Sequence, residues 1–379
     1  MRYRKLSNPI LFIGDNPALH GGLSRIGRDL ACLACTMPEF RVGYMGLGIG
    51  NRRNLPFVLY DHPESAGWGQ SYLEDVWHDF SGGEDGVIIT LDDVSRRDWF
   101  ALGNGYLGEG RTFQKWGYFP VDSYGPNYAR LPAYSRRIMD SYDRVLIASE
   151  WGAEVAERKG DWLPHGIFTD TFKPSPRKED DGVIQVGCVM ANQSRKDFPV
   201  AFECFKLLKR EYGNRFKAWL HTDVLVRHWS APNLAIDYGV ADCTEITTTQ
   251  VSDGALAAAY SSCACTILPS GGEGFGYPIV ESMACGTPCI VTRYGAGAEL
   301  TYPDCWVVPI GLRVDTQHNV ARAVIRGEDF YLRCRAVIED RLCNWNDTSD
   351  RMVERVAHLD WTRLNYPWMR WLREGLCTR

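Results

Sequence analysis

Between Gly182 and Thr292 the chain alternates short apolar runs with helical patterns, and that alternation most narrows the folds open to it. The patterning predicts strands at Gly182–Met190, Phe216–His221, Cys265–Pro269 and Pro288–Thr292, separated by helices at Phe198–Tyr212, Asp253–Ser262 and Tyr277–Cys285. A strand that returns to its own sheet through a helix runs parallel to its predecessor, so the expected fold class is α/β with a doubly wound sheet. The first half has the same rhythm. Strands are expected at Pro9–Asp15, Phe40–Tyr44, Gly86–Leu91, Trp116–Val121 and Arg144–Ser149, with helices at Leu23–Cys35, Glu74–Asp79, Tyr134–Tyr142 and Trp151–Lys159. Around Pro164–Pro176 the periodicity lapses, and Lys173–Asp181 is polar and proline-punctuated, as a domain boundary would be. The reading is therefore two Rossmann-like domains with a cleft between them, at 1–170 and 171–350. Helical residues 351–379, carrying Trp361, Trp368 and Trp371, complete the chain.

Composition excludes several classes. Of 379 residues, 45% are hydrophobic and 23% charged, which suits a soluble globular protein and not a disordered one. The net charge of −5 argues against a surface built throughout for phosphate backbones. The basic opening Met1–Pro9 precedes an apolar run, Ile10–Ile13, too short for a secretion signal. The longest uncharged stretch, Gly254–Gly272, is broken by serines and Pro269 and does not read as a bilayer span. Cys32-x2-Cys35 and Cys263-x-Cys265 lack a second ligand pair at zinc spacing, so the thirteen cysteines read as reduced thiols of a cytoplasmic protein.

The segment richest in chemistry is Pro269-Ser270-Gly271-Gly272-Glu273-Gly274-Phe275-Gly276-Tyr277-Pro278-Ile279-Val280-Glu281. It follows an apolar strand and opens a helix with Pro278 in the first turn, a favoured early-helix position. Four glycines let backbone approach a ligand closely, and the helix start offers free N–H groups and positive dipole to an anion. Glu273 and Glu281 bracket this site. A carboxylate is a poor phosphate ligand but accepts two hydrogen bonds from a vicinal diol, so anion and diol sites together suggest a nucleotide-sugar.

Glu273-x7-Glu281, followed by Ser282-Met283-Ala284-Cys285-Gly286-Thr287-Pro288, closely resembles the donor-site signature of the GT4 family of retaining glycosyltransferases, which have the GT-B fold. Most of the chain shares the likeness. Gly21-Gly22 with Arg25 is similar to the family's first loop, Pro164–Pro174 to its interdomain motif, and the C-terminal helices to those that cross back to the first domain. Asn192-Gln193-Ser194-Arg195-Lys196 is similar to its diphosphate-binding position. The resemblance implies that Glu281 holds the ribose hydroxyls, while Glu273 and the amides of Gly274, Phe275 and Gly276 hold the transferred sugar. Arg195 and Lys196 would neutralise the departing diphosphate, where fixed cations lower the barrier. It further implies transfer with retention, no protein nucleophile, no metal ion and no cofactor beyond the nucleoside-diphosphate-sugar donor. The acceptor hydroxyl stays open: a glycan, a lipid, a small molecule or a hydroxylated base in DNA. A catalytically silent sugar-nucleotide binder is the alternative from outside the enzymes. Reading Glu273 and Glu281 as a hydrolase pair would leave the anion site beside them without a task.

The chain departs from the family pattern at two places. Many relatives carry a basic residue after the glycine of the second domain's first strand, whereas Gly187 is followed by Cys188, leaving the cationic role to Arg195 and Lys196. Many also carry a His at the end of a middle strand of the first domain; Asp122 stands at what resembles that position. It would hydrogen-bond the sugar, orient the acceptor or act as base, against the plainer role of capping a turn. His20 and His221 are further candidates for ligand contact. Two glycine clusters are decoys: Gly103–Gly108 has the dinucleotide spacing but follows no buried strand and opens no helix, and Gly46–Gly50 has the wrong spacing. The acids Asp92-Asp93 and Asp180-Asp181 read as solvated loops or caps. Charge is uneven: Asp61–Asp98 holds ten acids and two bases, a net −8, so the remainder is +3. Arg52, Arg53, Arg111, Lys115, Arg130, Arg136 and Arg137 with Trp116, Tyr118, Tyr124 and Tyr128 would then form a basic, aromatic lip for an anionic acceptor, or be ordinary solvated charge.

Overall fold

The computed structural model describes residues 8–19, 21–50, 54–62, 67–103, 105–108, 110–175 and 182–375. His20, Arg52, Arg53, Asp180 and Asp181 lie outside the described residues. Contacts divide the chain into two compact units: residues 1–121, 131–165 and 362–379 form one, and residues 122–130 and 166–361 the other.

In the first unit the order is β1 (Asn8–Asp15), α1 (Gly22–Cys35), β2 (Phe40–Leu47), β3 (Val58–His62), α2 (Leu73–Ser81), β4 (Gly86–Leu91), α3 (Asp98–Leu102), β5 (Phe113–Phe119), α4 (Ala133–Asp140), β6 (Arg144–Ile147) and α5 (Glu150–Val155). The six strands form one sheet in the order β3-β2-β1-β4-β5-β6, every neighbouring pair parallel. Residues 9–14 of β1 and all six of β4 are buried, because helices on both faces leave a parallel sheet no wet side.

The second unit repeats the plan with β7 (Ile184–Val189), α6 (Phe198–Tyr212), β8 (Phe216–His221), α7 (Ala231–Asp237), β9 (Thr244–Thr247), α8 (Asp253–Ser262), β10 (Cys265–Leu268), α9 (Tyr277–Ala284), β11 (Cys289–Thr292), α10 (Gly297–Leu300) and β12 (Trp306–Val307). Its parallel sheet runs β12-β11-β10-β7-β8-β9. An antiparallel hairpin, β13 (Gly311–Asp315) and β14 (Val320–Val324), precedes α11 (Gly327–Cys343), α12 (Trp345–Val356) and α13 (Trp361–Glu374). From Thr362 onward α13 belongs with the first unit. There Trp368 meets Tyr118 edge-on at 4.9 Å, and Trp371 meets Trp116 at the same distance. These are two parallel six-stranded sheets with helices, as the alternating pattern predicts.

Several boundaries differ from the expectation for local reasons. β5 ends at Phe119, before Pro120, which has no N–H to give to the ladder. α5 stops at Val155, and Glu157 takes a left-handed φ of 59° that no helix continues through. β3, β9, β13 and β14 were not anticipated; their sequences VLYDH, TEIT, GLRVD and VARAV carry polar residues that break an apolar run, as edge strands and hairpins tolerate. Gly103 follows α3 and not a strand, so Gly103–Gly108 lacks a dinucleotide site's setting. No helix among the described residues is long and apolar enough to cross a membrane. The described cysteines are all free, and most are buried.

Candidate functional site

Strand order locates the crevice of the second unit. From β7 the chain winds outward through β8 on one side and from β10 through β11 on the other, so the topological switch lies between β7 and β10. Residues 190–197 leave the C-terminal end of β7 and residues 269–276 leave that of β10, and the two segments are joined by backbone. Gly271 N donates to Arg195 O at 2.7 Å, and Asp197 N to Pro269 O at 2.9 Å.

This pairing sets Arg195 and Lys196 against Glu273. The Glu273 carboxylate, almost wholly buried, accepts hydrogen bonds from Lys196 Nζ and, at 3.1 Å, from Arg195 Nη1. Burial alone would push the carboxyl up, but the charges of Lys196 and Arg195 outweigh it and hold Glu273 below the ordinary carboxylate range. Lys196 is pushed below the usual lysine range by burial, with Glu273 opposing. The Glu273 backbone is fixed as well: Ala296 N donates to its carbonyl at 2.9 Å, and a Cβ on Gly295 would lie 2.7 Å from that oxygen.

Asp122 enters the same cluster. Expected at a strand end of the first domain, it falls three residues beyond β5 into the segment that belongs with the second unit. Its carboxylate lies 3.3 Å from Arg195 Nε and 2.9 Å from Arg322 Nη1. Burial opposes ionisation, yet Arg322 and then Arg195 keep the Asp122 carboxyl below its ordinary value. Gly272 makes this approach possible, since a Cβ there would lie 2.1 Å from the Asp122 carbonyl oxygen. Arg322 was missed from sequence: an arginine in an unrecognised hairpin gives no signal that it reaches Asp122, two hundred residues earlier.

The glycine-rich loop ends at Gly276, whose φ of 105° is left-handed and whose Cβ would meet Ile279 Cδ1 at 2.7 Å. Phe275 is buried edge-on against Tyr277, so its side chain anchors the loop from inside. Gly274 lies between these anchors and the Glu273 cluster. Glu281 is buried one turn into α9 and accepts a hydrogen bond from the Tyr260 hydroxyl of α8 at 2.9 Å. Tyr260 too escaped the sequence reading, being one apolar position of a helix.

Other expected residues have separate settings. Asn192 is fully buried and its side chain works inside the protein: Nδ2 donates to Val224 O and Trp229 O, and Oδ1 accepts from Trp229 N. These bonds shape the loop after β8. His221 ends β8, hydrogen-bonded through Nδ1 to Thr247 Oγ1 at 2.8 Å, and burial lowers its pKa. Gly21 and Gly22 are exposed at the start of α1; the Gly21 φ of 164° is extended backbone that any residue adopts.

The first unit has its own charged cluster at the ends of β1 and β4. Asp92 is buried and paired with buried Arg97 at 2.5 Å, so it is not the solvated acid expected. Arg96 lies 3.2 Å from Asp92 and 3.8 Å from Asp15, its guanidinium 4.6 Å from the Trp68 ring centre. Burial, then the Asp92 charge, raises the Asp15 carboxyl to about 7 against the pull of Arg96 and Arg97. The candidate basic, aromatic lip is broken up only in part, since Tyr128, Arg130 and Arg137 are exposed. Lys115, Trp116 and Tyr118 are buried strand residues of β5, Arg111 grips Asp143 through two bonds of 2.8 and 2.7 Å, and Arg136 pairs with Glu157. Strand alternation within a doubly covered sheet buries what a linear reading placed on the surface.

Comparison with known proteins agrees with this geometry. Residues 183–326 match the family model "Glycosyl transferases group 1". The chain is 41% identical over 71 residues to the MMP alpha-(1->4)-mannosyltransferase of Mycolicibacterium hassiacum, covering 19% of this chain and 17% of that protein. It is 26% identical over 222 residues to the serotype-specific mannosyltransferase WbdA of Escherichia coli, covering 57% of this chain and 26% of that one. The chain thus aligns with about a quarter or less of either relative's length. Among solved structures, sucrose-phosphate synthase from Thermosynechococcus elongatus superposes with a TM-score of 0.74 at 16% identity, covering 98% of this chain and all of that one. HepE of Anabaena, solved in complex with UDP and glucose, gives 0.72 at 14% identity over the same shares. The chain has the GT-B fold, and its residues 183–326 match the glycosyl transferases group 1 family model.

Proposed function

We propose that the protein is a GT4-type retaining glycosyltransferase that moves a sugar from a nucleoside-diphosphate-sugar to a hydroxyl acceptor without a metal ion. The observation that carries the reading is Glu273, buried between Lys196 and Arg195 on the loop that opens α9 at the switch of the second sheet. A departing nucleoside diphosphate gathers negative charge, and cations already held in place stabilise it without reorganising. Glu273 orients those cations and accepts from sugar hydroxyls, and Glu281, steadied by Tyr260, accepts from the ribose diol. The α9 start adds amide donors and dipole. The acceptor's proton passes to the diphosphate oxygen on the face from which the leaving group departs, so no protein nucleophile is needed.

HepE, a structural neighbour solved with UDP and glucose, supports a nucleotide-sugar donor. Free, largely buried cysteines favour a reducing, cytoplasmic setting. Lys115 is buried and Arg111 and Arg136 are paired, which weakens the case for a nucleic-acid acceptor and supports a neutral hydroxyl acceptor.

The test is ligand-linked stabilisation. One of UDP, GDP, ADP or TDP raises the melting temperature of the wild type, and Glu281→Ala abolishes the shift. No stabilisation by any of the four sinks the donor site. A panel of labelled nucleotide-sugars then identifies the sugar, and slow donor hydrolysis that weakens in Lys196→Ala separates an enzyme from a silent binder.

A further inference from the structure

We propose that Arg322 of the β13–β14 hairpin is a positioning residue that holds Asp122 so that Arg195 keeps its positive charge for the diphosphate of a bound nucleotide. The inference rests on the donor-site reading above and deepens it.

The hairpin is tied into the site on both sides of this arginine. Ala321 N donates to Tyr124 O at 2.8 Å, and Ala323 N donates to Gly271 O at 3.0 Å. Tyr294 closes the joint, accepting from Tyr124 N at 2.9 Å and donating to Ala321 O at 2.6 Å. The backbone of β14 therefore spans the segment bearing Asp122 and the loop bearing Glu273, and Arg322 sits between its two anchor points. Its side chain is mostly buried, with Nη1 2.9 Å from Asp122 Oδ2.

The charges alternate along this cluster: Lys196, Glu273, Arg195, Asp122, Arg322. Three cations face two carboxylates, which leaves one positive charge for an anion. Without Arg322, Asp122 draws on Arg195 as its remaining cation, and the cluster becomes neutral. An anion then competes with Asp122 for the Arg195 guanidinium, and its affinity falls. The hairpin so supplies a third cation in a chain that has Cys188, and no basic residue, after Gly187 of β7.

The experiment measures binding of UDP, GDP, ADP and TDP by titration calorimetry to four full-length proteins: wild type, Arg322→Gln, Asp122→Asn and the double variant. These probes lack the transferred sugar, so any contact of Asp122 with that sugar does not enter. For the probe that binds the wild type, Arg322→Gln weakens binding roughly tenfold, the size of one charge at this range in a partly screened site. The double variant recovers to within about threefold of wild type, because Asp122 no longer draws on Arg195 and Lys196 and Arg195 against Glu273 again leave one positive charge. That recovery keeps the test valid if Arg322→Gln also lowers the melting temperature, since a merely structural loss is not repaired by removing Asp122's charge. Unchanged binding in Arg322→Gln overturns the proposal, and so does a double variant as weak as the single one. If no probe binds the wild type, the donor-site reading itself falls and this inference with it.

Discussion

The Tyr260 hydroxyl of α8 donates to Glu281 Oε2 at 2.9 Å with both side chains buried, so the donor-helix carboxylate is held by a neighbouring helix. Tyr260→Phe removes that donor from a buried carboxylate. We expect a loss of about 1–3 kcal/mol in urea-melt stability, the range for a lost hydrogen bond to a buried charged group, together with weaker nucleoside-diphosphate binding. Unaltered stability and affinity would show that Tyr260 is incidental.

Lys196→Ala strips Glu273 of one of its two cations inside the protein. Breaking a buried pair from one side costs about 3–5 kcal/mol, and solvent reaching the vacated space reduces it. The expected result is a lower melting temperature than for Lys196→Ala/Glu273→Gln, in which no lone carboxylate remains. Equal melting temperatures would refute the pairing.

The carboxyls of Glu273 and Asp122 are both held below their ordinary values; burial opposes ionisation in each, but neighbouring cations prevail. In the unfolded chain these groups take up protons first as pH falls, so their contribution is complete above their unfolded pKa values and is lost on descent through the folded ones. Wild-type stability should fall between about pH 4.5 and more acid values, and Glu273→Gln/Asp122→Asn should show a shallower fall. Parallel curves would contradict the assignment.

His165 of the first unit is buried 5.5 Å from the Tyr118 ring, and burial depresses its pKa to about 3. The unfolded chain binds this proton near its ordinary pKa of about 6.5, so the residue penalises folding increasingly from there down to about 3, by up to about 1.4 kcal/mol per pH unit. Above that range it exerts no pH effect. His165→Gln should flatten the loss of stability across that window; an identical slope would refute it.

Gly272 and Gly276 serve different needs, and alanine should separate them. At Gly276 it meets left-handed strain plus a 2.7 Å contact with the end of the flexible Ile279 side chain, and about 1–3 kcal/mol is expected. At Gly272 it meets Asp122 backbone at 2.1 Å, which cannot yield locally. Gly272→Ala should therefore lose nucleotide binding more completely than Gly276→Ala, as read by calorimetry.

By itself the sequence determined the architecture and marked out the glycine-rich loop. Apolar runs such as Ile10–Ile13 and Cys265–Leu268 are continuous because parallel strands are covered on both faces, and Gly271–Glu281 is contiguous chain, so its glycines, Glu273 and helix start can be read in a line. Arg195 and Lys196 were also legible, since the segment after β7 faces the same switch as the loop after β10. What only the tertiary structure decided is who neutralises whom. Arg322 reaches Asp122 across 200 residues, Tyr260 reaches Glu281 across 21, and Asn192 spends its amide on the loop around Trp229. Asp92 and Lys115, charged on paper, are buried inside the first unit. Charge pairing depends on distances of a few ångströms between segments joined only by folding, and burial decides whether a charge faces water or a partner; neither quantity is local in the chain.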